Sequence, residues 1–184
     1  YSNIRRKLTA TGVDPPEGGG PATYTKLLEE RLPARGFCVS VLPFRTVRHL
    51  PKLIRHIAYF FKVLKMARGA DIVYAQDTVS VGLPAALAAK FAGKKFAVRV
   101  PGDYAWEQAQ QRAKVTDDLD TFQTKVYGLW IETLSTVQML VVRRADAVIV
   151  PSKYLEKIVS GWLVPSKVEG GAAPTLLYNG IDLA

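Results

Sequence analysis

Strand-like and helix-like segments alternate along nearly the whole chain, and this order constrains the fold more than any other feature of the sequence. Two apolar runs, ADIVYA at 70–75 and ADAVIV at 145–150, are continuous rather than alternating, as expected of strands buried on both faces. The pattern predicts strands at 7–11, 37–42, 71–75, 95–100, 146–150 and 174–178, and helices at 21–32, 50–67, 81–91, 122–144 and 153–162. Alternation at this spacing indicates an α/β fold, with a Rossmann-like parallel sheet covered by helices on both faces.

Length and composition fit one globular domain over residues 1–184, because a chain of this size can build a full hydrophobic core. No signal peptide is visible and no apolar run is long enough to cross a bilayer, so we expect a cytoplasmic protein. The only cysteine, Cys38, lies in the apolar run 37–42 and is predicted to be a core residue. With two histidines and one cysteine, a zinc site is not expected.

A glycine-rich loop follows the first predicted strand. It contains Gly18, Gly19 and Gly20, and Pro21 then opens a helix, where its missing N–H costs nothing. Glycines let the backbone approach a ligand, and the helix N-terminus attracts an anion, so the loop is a candidate phosphate site. The alternative is that the glycines serve only the geometry of a tight turn between the strand and the helix, without binding a ligand. Neither the GxGxxG spacing nor a P-loop is present.

Basic residues are concentrated in one region. The net charge is +9, and residues 31–70 hold nine lysines and arginines and no acidic residue. This imbalance predicts a local anionic partner. On the predicted helix 50–67, an apolar stripe that includes Leu53, Ile57 and Phe61 is expected to pack on the sheet. The opposite, basic face is either simply solvated or contacts an anionic membrane, through Arg48, Lys52, Arg55, Tyr59 and Lys62. Nucleic acid is not expected, because the aromatic residues lie mainly on the inner stripe.

Five segments occur in a characteristic order: GGGPATYTKLLEERL, ADIVYAQDTVSVGLPAALAAK, VRVPGDYAWEQA, ADAVIVPSKYLEKIV and LLYNGID. In order and spacing, residues 7–182 resemble the N-terminal domain of family-4 retaining glycosyltransferases. The resemblance implies one half of a GT-B fold, in which two Rossmann-like domains face each other across a cleft. It implies that the N-terminal domain holds the acceptor and a C-terminal domain holds the nucleotide-sugar donor. It also implies that backbone amides, helix ends and basic side chains stabilise the leaving diphosphate, so that no metal cofactor is expected.

The resemblance also implies roles for particular residues. The loop Gly18–Gly20 would close over the donor phosphates, and Asn179 and Asp182 would form the hinge turn to the second domain. Acceptor contacts are expected at the carboxyl ends of the strands, from Asp77, Thr78, Asp103, Tyr104, Trp106, Ser152 and Lys153. Many relatives carry a histidine after the fourth strand. Here Asp103 is the only ionisable residue nearby, which makes it the candidate catalytic group, with a helix N-cap as the alternative.

The family's donor-binding pair of glutamates, eight positions apart, does not occur in this sequence. We therefore expect the C-terminal donor-binding domain to be absent and the chain alone to be inactive. The triplet Asp118–Leu119–Asp120 has the DxD form of metal-dependent glycosyltransferases, but it lies in a polar stretch and is interpreted as solvated.

The expected function is the binding of a lipid-linked or cell-envelope acceptor, to whose hydroxyl the complete enzyme transfers a sugar from a nucleotide-diphosphate donor. The cytoplasmic face of a membrane is the expected place of action. Two alternatives stay open. The chain could be a membrane-recruiting subunit of a two-chain glycosyltransferase, or a non-catalytic flavodoxin-like domain that binds a nucleotide or flavin by itself.

Overall fold

The computed structural model describes residues 5–11, 20–163 and 172–178 of the chain. Within them the structure forms one six-stranded sheet in the order β2-β1-β3-β4-β5-β6, and all neighbouring strands are parallel. The strands are β1 (Arg5–Thr11), β2 (Phe37–Pro43), β3 (Ile72–Ala75), β4 (Lys95–Arg99), β5 (Ala147–Val150) and β6 (Pro174–Leu176). The six predicted strands and the α/β, Rossmann-like fold class are confirmed.

The helices are α1 (Gly20–Arg31), α2 (Lys52–Ala67), α3 (Gly82–Phe91), α4 (Tyr104–Ala113), α5 (Leu119–Phe122), α6 (Leu129–Arg143) and α7 (Lys153–Leu163). The single helix predicted over 122–144 is wrong at its start, because α5 ends at Phe122 and α6 begins only at Leu129. Gly128, just before α6, has φ of 84°, a left-handed value that favours glycine and breaks the helical run. Helix α4 is not among the helices predicted from periodicity, but the N-cap alternative for Asp103 implies a helix at this position.

The core lies between the sheet and the helices that cover it, and it includes buried residues of α2, α3, α6 and α7. Val73 of β3, Val98 of β4 and Val148 of β5 are completely buried. Helix α1 packs against β1 and β2, and its Tyr24 lies under the guanidinium of Arg99, whose carbon is 4.3 Å from the ring centroid. Because Val98 and Arg99 are consecutive on β4, they point to opposite faces of the sheet, so both faces carry helices.

Helix α2 is turned away from the orientation that the sequence predicts. Tyr59, Val63 and Ala67 are fully buried, whereas Leu53, Ile57 and Phe61 of the predicted inner stripe are 81%, 58% and 60% exposed. Tyr59 packs edge-on against Phe44, and its hydroxyl donates a 2.7 Å hydrogen bond to the Leu42 carbonyl. The prediction that Tyr59 contacts a membrane surface is therefore wrong, because its side chain belongs to the core.

Cys38 is exposed, so its assignment to the core is also wrong. It lies on β2, the edge strand next to β1, where exposed and partly buried residues alternate from Phe37 to Val41. An edge strand covered mainly on one face exposes every second side chain, in contrast to the central strands.

The strand order places a switch point between β1 and β3. From β1 the chain crosses to β2 on one side, and from β3 it proceeds to β4 on the other. Connections that leave in opposite directions open a crevice at the carboxyl ends of the strands, which is where ligands bind in sheets of this type.

Candidate functional site

An open cleft of about 610 Å³ lies at this carboxyl edge, on the side of the sheet that carries α2 and α3. Four segments that are far apart in sequence form its walls: the stretch from Phe44 into the first turn of α2, the loop between β3 and α3, helix α4, and the start of α6. The lining residues are Phe44, Arg48, Lys52, Leu53, Arg55, His56, Asp77, Val79, Ser80, Tyr104, Gln108, Arg112, Trp130 and Leu134.

The first turn of α2 supplies two of the four basic residues that line the cleft. Lys52 and Arg55 line the cleft there, and Arg48 joins them from the preceding turn. The Arg55 guanidinium carbon lies 6.0 Å from the centroid of the Phe44 ring, within cation–π range. Pro51 precedes the helix and provides no side-chain cap, and the first turn contains no acidic residue. This end of α2 therefore combines the helix dipole with basic side chains.

The loop between β3 and α3 contributes the one carboxylate among the lining residues, Asp77. Its Oδ1 accepts a 3.1 Å hydrogen bond from the Val81 N–H at the start of α3. Burial raises the pKa of Asp77, while the N–H groups from Val79 to Gly82 act in the opposite direction. Gly82 is required here, because a Cβ at this position would collide with the Asp77 carbonyl oxygen. The charge of Asp77 is thus directed at the N-terminus of α3.

Histidine 56 connects α2 to this loop. Its Nδ1 lies 3.1 Å from the Ser80 carbonyl oxygen, which can only accept, so Nδ1 carries the proton. Burial lowers the pKa of His56, the contact with Ser80 raises it, and the nearby Arg55 lowers it, with a net shift downward. The Ser80 hydroxyl in turn lies 3.4 Å from the Tyr104 hydroxyl. This chain of contacts joins three walls of the cleft.

The far wall carries a second arginine on an aromatic ring. The Arg112 guanidinium carbon lies 5.9 Å from the centroid of the Trp130 ring. Glu107, one turn earlier on α4, stands near two other carboxylates. Burial raises the pKa of Glu107, and the negative charges of Asp103 and Asp77 raise it further.

Asp103 does not belong to the cleft. It is 1% exposed and caps α4, with Oδ1 accepting from the Trp106 N–H at 3.0 Å. The amide nitrogens of Gln138 and Gln123 each donate to its carboxylate at 2.8 Å. A carboxylate buried and held by three donors cannot reach an acceptor. The assignment of Asp103 as catalytic or acceptor-binding is therefore wrong, and the N-cap alternative is confirmed.

Of the other residues predicted to contact the acceptor, some line the cleft and the rest lie elsewhere at the carboxyl edge of the sheet. Asp77 and Tyr104 line the cleft, but Thr78 is 2% exposed and Trp106 donates its Nε1–H to the Asp117 carbonyl at 3.0 Å. The Ser152 hydroxyl accepts from the Leu155 N–H at 3.2 Å at the start of α7, beside the exposed Lys153. Gly18, Gly19, Asn179 and Asp182 lie outside the described residues, and Gly20 is the first residue of α1.

The residues predicted to contact a membrane do not lie together on one face of α2. Arg48, Lys52 and Arg55 line the cleft, while Lys62 is exposed farther along α2, with its Nζ 3.3 Å from the Thr46 carbonyl. Exposed apolar side chains form what we call the apolar ridge: Leu53, Ile54, Ile57 and Phe61 of α2, together with Phe91 at the end of α3. Phe60 links the two helices, because its ring centroid lies 5.1 Å from that of Phe61 and 5.7 Å from that of Phe91.

The two carboxylates of the triplet 118–120 accept hydrogen bonds from other groups of the protein. Asp118 caps α5 by accepting from the Thr121 N–H at 2.8 Å, and Asp120 accepts from the Tyr154 hydroxyl at 2.8 Å. Asp120 also borders a separate cavity of about 460 Å³ among α5, α6 and α7. Across the described ranges, no group of three or more histidine, cysteine, aspartate or glutamate side chains is placed to hold a metal ion.

A family model described as "Glycosyl transferase 4-like domain" matches residues 22–169, which is more than half of the chain. The chain belongs to this glycosyl transferase 4-like family. The N-terminal domain that the sequence motifs indicate is thereby confirmed, and the chain is a glycosyltransferase-type domain. A search of curated protein sequences gives no significant match.

Solved structures share the fold of this glycosyl transferase 4-like domain at low sequence identity. UDP-GlcNAc 2-epimerase from Methanocaldococcus jannaschii aligns over 95% of this chain with a TM-score of 0.57 and 11% identity. A Listeria monocytogenes protein assigned as a UDP-N-acetylglucosamine 2-epimerase covers 85% with a TM-score of 0.54 and 12% identity. UGT73P12 from Glycyrrhiza uralensis, complexed with glycyrrhetinic acid 3-O-monoglucuronide, covers 94% with a TM-score of 0.52 and 11% identity.

The alignments cover 45%, 41% and 48% of those three chains, so this chain spans less than half the length of the structures that it matches. Among the helices that the structure describes, none is long and apolar enough to cross a membrane.

Three lining residues, His56, Arg112 and Trp130, were not among the site residues predicted from the sequence. A cation and an aromatic residue 18 positions apart give no local signal, because only the packing of α4 on α6 brings them together.

Proposed function

We propose that this chain is the acceptor-binding domain of a retaining glycosyltransferase, which transfers a sugar from a nucleotide-diphosphate donor to a hydroxyl of a lipid-linked acceptor. Family membership supports sugar transfer as the class of reaction. The observation that carries the acceptor assignment is the position of α2. Its first turn lines the cleft at the carboxyl edge, and its outer face carries the apolar ridge. One helix thus borders both a candidate substrate site and an exposed apolar surface.

The donor would come from a second domain facing the same edge. The solved structures are more than twice as long as the region that they share with this chain, which leaves room for such a domain. The loop containing Gly18 to Gly20 would approach the donor diphosphate, and backbone N–H groups with the N-terminus of α1 would stabilise the leaving charge. This arrangement needs no metal ion. Without the second domain, the chain would bind an acceptor but would not transfer a sugar.

The apolar ridge supports action at a membrane surface. Isolated exposed apolar residues are ordinary, but five large side chains on neighbouring helices form a patch, and such patches mark interaction sites. Lys62 and Lys65 of α2, and Lys90 beside Phe91, are exposed next to the ridge. Apolar side chains that enter the lipid interface, flanked by lysines that contact anionic headgroups, are typical of helices that lie on membranes. The occupant that we assign to the ridge is therefore an anionic bilayer.

Ligand binding by the chain itself tests the function. Calorimetry would compare a glycolipid in nanodiscs with free nucleotides and flavins. We expect saturable binding of the glycolipid and no tight binding of nucleotide or flavin. Tyr104→Ala, in the cleft, should weaken glycolipid binding, whereas Tyr154→Ala, exposed on α7, should not. Tight binding of a flavin or nucleotide without glycolipid binding would contradict the proposal and favour a flavodoxin-like ligand-binding domain.

A further inference from the structure

The cleft is strongly unbalanced in charge. Four of its lining residues are lysine or arginine, against the single carboxylate of Asp77, which is directed at the N–H groups of α3. Basic side chains that share a concave, partly buried surface repel each other unless an anion lies between them. The lining residues of the cleft therefore favour a ligand that carries negative charge.

Two of these cations lie over aromatic rings that also line the cleft. The Arg55 guanidinium carbon is 6.0 Å from the Phe44 centroid and that of Arg112 is 5.9 Å from the Trp130 centroid, so each cation is supported by an aromatic face. Arginine presents paired donors that match the oxygens of a phosphate, and stacking reduces the side-chain entropy lost on binding. The two arginines come from α2 and α4, so a ligand between them would contact both sides of the cleft.

The N-terminus of α2 adds the helix dipole to this positive charge. Lysine and arginine in the first turn of a helix oppose its dipole, and this turn has neither an acidic residue nor a side-chain cap. A bound anion would relieve that repulsion and accept from the first N–H groups of the helix. Sequence and geometry thus agree on the same kind of ligand.

We propose that this cleft binds a phosphate group of the acceptor, between Arg55 of α2 and Arg112 of α4. The inference rests on the proposed function, because it names the chemical class of the acceptor. The phosphate could belong to a lipid headgroup or to a soluble sugar phosphate. A phosphate on a membrane lipid would enter beside Leu53, which lies both in the apolar ridge and in the lining of the cleft.

The test compares three soluble probes by calorimetry: an alkyl glycosyl phosphodiester, the matching neutral alkyl glycoside, and inorganic phosphate. We expect the phosphodiester to bind at least ten times more tightly than the neutral glycoside. Arg112→Gln and Arg55→Gln should each weaken it by about tenfold, the loss expected for one charge-assisted hydrogen bond. Arg35→Gln, an exposed arginine outside the cleft and away from α2, is the matched control and should change the affinity by less than about twofold.

The probes also separate the sources of the phosphate. Tighter binding of the alkyl diester than of inorganic phosphate supports a lipid headgroup, and equal binding supports a soluble phosphate. Equal affinity for the charged and neutral glycosides, or arginine variants that bind like the wild type, would overturn the inference. Neither result would affect the proposed function, whose failure would appear separately as tight binding of flavin or nucleotide. Thermal melting of each variant confirms that it is folded.

Discussion

At the scale of single residues, Asp103 shows how one position can satisfy a catalytic and a structural interpretation equally well in sequence. It follows a buried strand at the carboxyl edge, where functional carboxylates lie, and it precedes a helix, where N-caps lie. Only the structure shows that Gln138, 35 positions away, and Gln123 donate to its carboxylate. These partners come from α6 and from the turn after α5, two segments whose boundary the sequence did not reveal.

Substituting Asp103 should therefore impair folding first. Asp103→Ala removes the cap of α4 and leaves two amide groups without their acceptor, so we expect the free energy of unfolding to fall by about 2–4 kcal/mol. Urea denaturation measures the loss. Asp118→Ala, which removes the exposed cap of α5, is the matched control and should lower the free energy of unfolding by a smaller amount. Equal losses for the two variants would contradict a buried network around Asp103.

His56 should make stability depend on pH. Burial lowers its pKa below the ordinary value of 6.5, so the folded state favours the neutral ring. This stabilising contribution is complete above pH 6.5 and is lost as the pH falls through the lower pKa of the folded state. In the wild-type chain the free energy of unfolding should fall between pH 7.5 and pH 5. In His56→Gln this fall should be smaller. His49→Gln removes the other imidazole from an exposed position and is the control. An unchanged pH profile for His56→Gln would contradict this role.

At the scale of elements, α2 shows where a periodic pattern stops being informative. Two apolar faces run along this helix, one with Leu53, Ile57 and Phe61 and a smaller one with Tyr59, Val63 and Ala67. The hydrophobic stripe is larger on the first face, so periodicity alone assigns that face to the core. The smaller face is the one that fits closely against Phe44 and α3. Shape complementarity between distant segments is not encoded in the periodicity of one helix.

Paired substitutions on α2 test which face is buried. Val63→Ala should lower the free energy of unfolding by about 2 kcal/mol, because it leaves a cavity in the core. Phe61→Gln should change it by no more than about 0.5 kcal/mol, since that ring is 60% exposed. Chemical denaturation of both variants gives the comparison. The reverse order of losses would mean that the predicted inner stripe is the buried face after all.

The strands were easier to predict than the helices. Continuous runs such as 70–75 and 145–150 are short, apolar and bounded by turns, so their type and place follow from the sequence. Helix α4 has no apolar periodicity because it is rich in glutamine, and its possible cap at Asp103 was the sequence signal that indicated it. The exposure of Cys38 depends on β2 being at the edge, which is a property of strand order and not of the strand's own residues.

At the scale of the whole molecule, the site was predicted only in part. The carboxyl edge was correctly identified as the place of the cleft, because parallel strands bring their ends together. Of its lining residues, Asp77 and Tyr104 were predicted as acceptor contacts, whereas Arg55, Arg112 and Trp130 were not, since only the packing of three separate segments brings them together. The basic region was expected to face a membrane directly. In the structure, Arg48, Lys52 and Arg55 of this region border the cleft at one end of α2, while Lys62 and Lys65 are exposed beside the apolar ridge.

The central claim is that α2 places the acceptor cleft at an anionic bilayer, and vesicle flotation tests it most directly. The wild-type chain would be compared with Ile57→Gln/Phe61→Gln and with a control, Val126→Gln/Leu177→Gln, which changes exposed apolar residues away from α2. We predict salt-sensitive binding that increases with anionic lipid and falls at least about tenfold in the α2 variant, because burial of each apolar side chain contributes about 1.5–3 kcal/mol. Absence of binding at every lipid composition, or equal binding by all three proteins, would contradict the account.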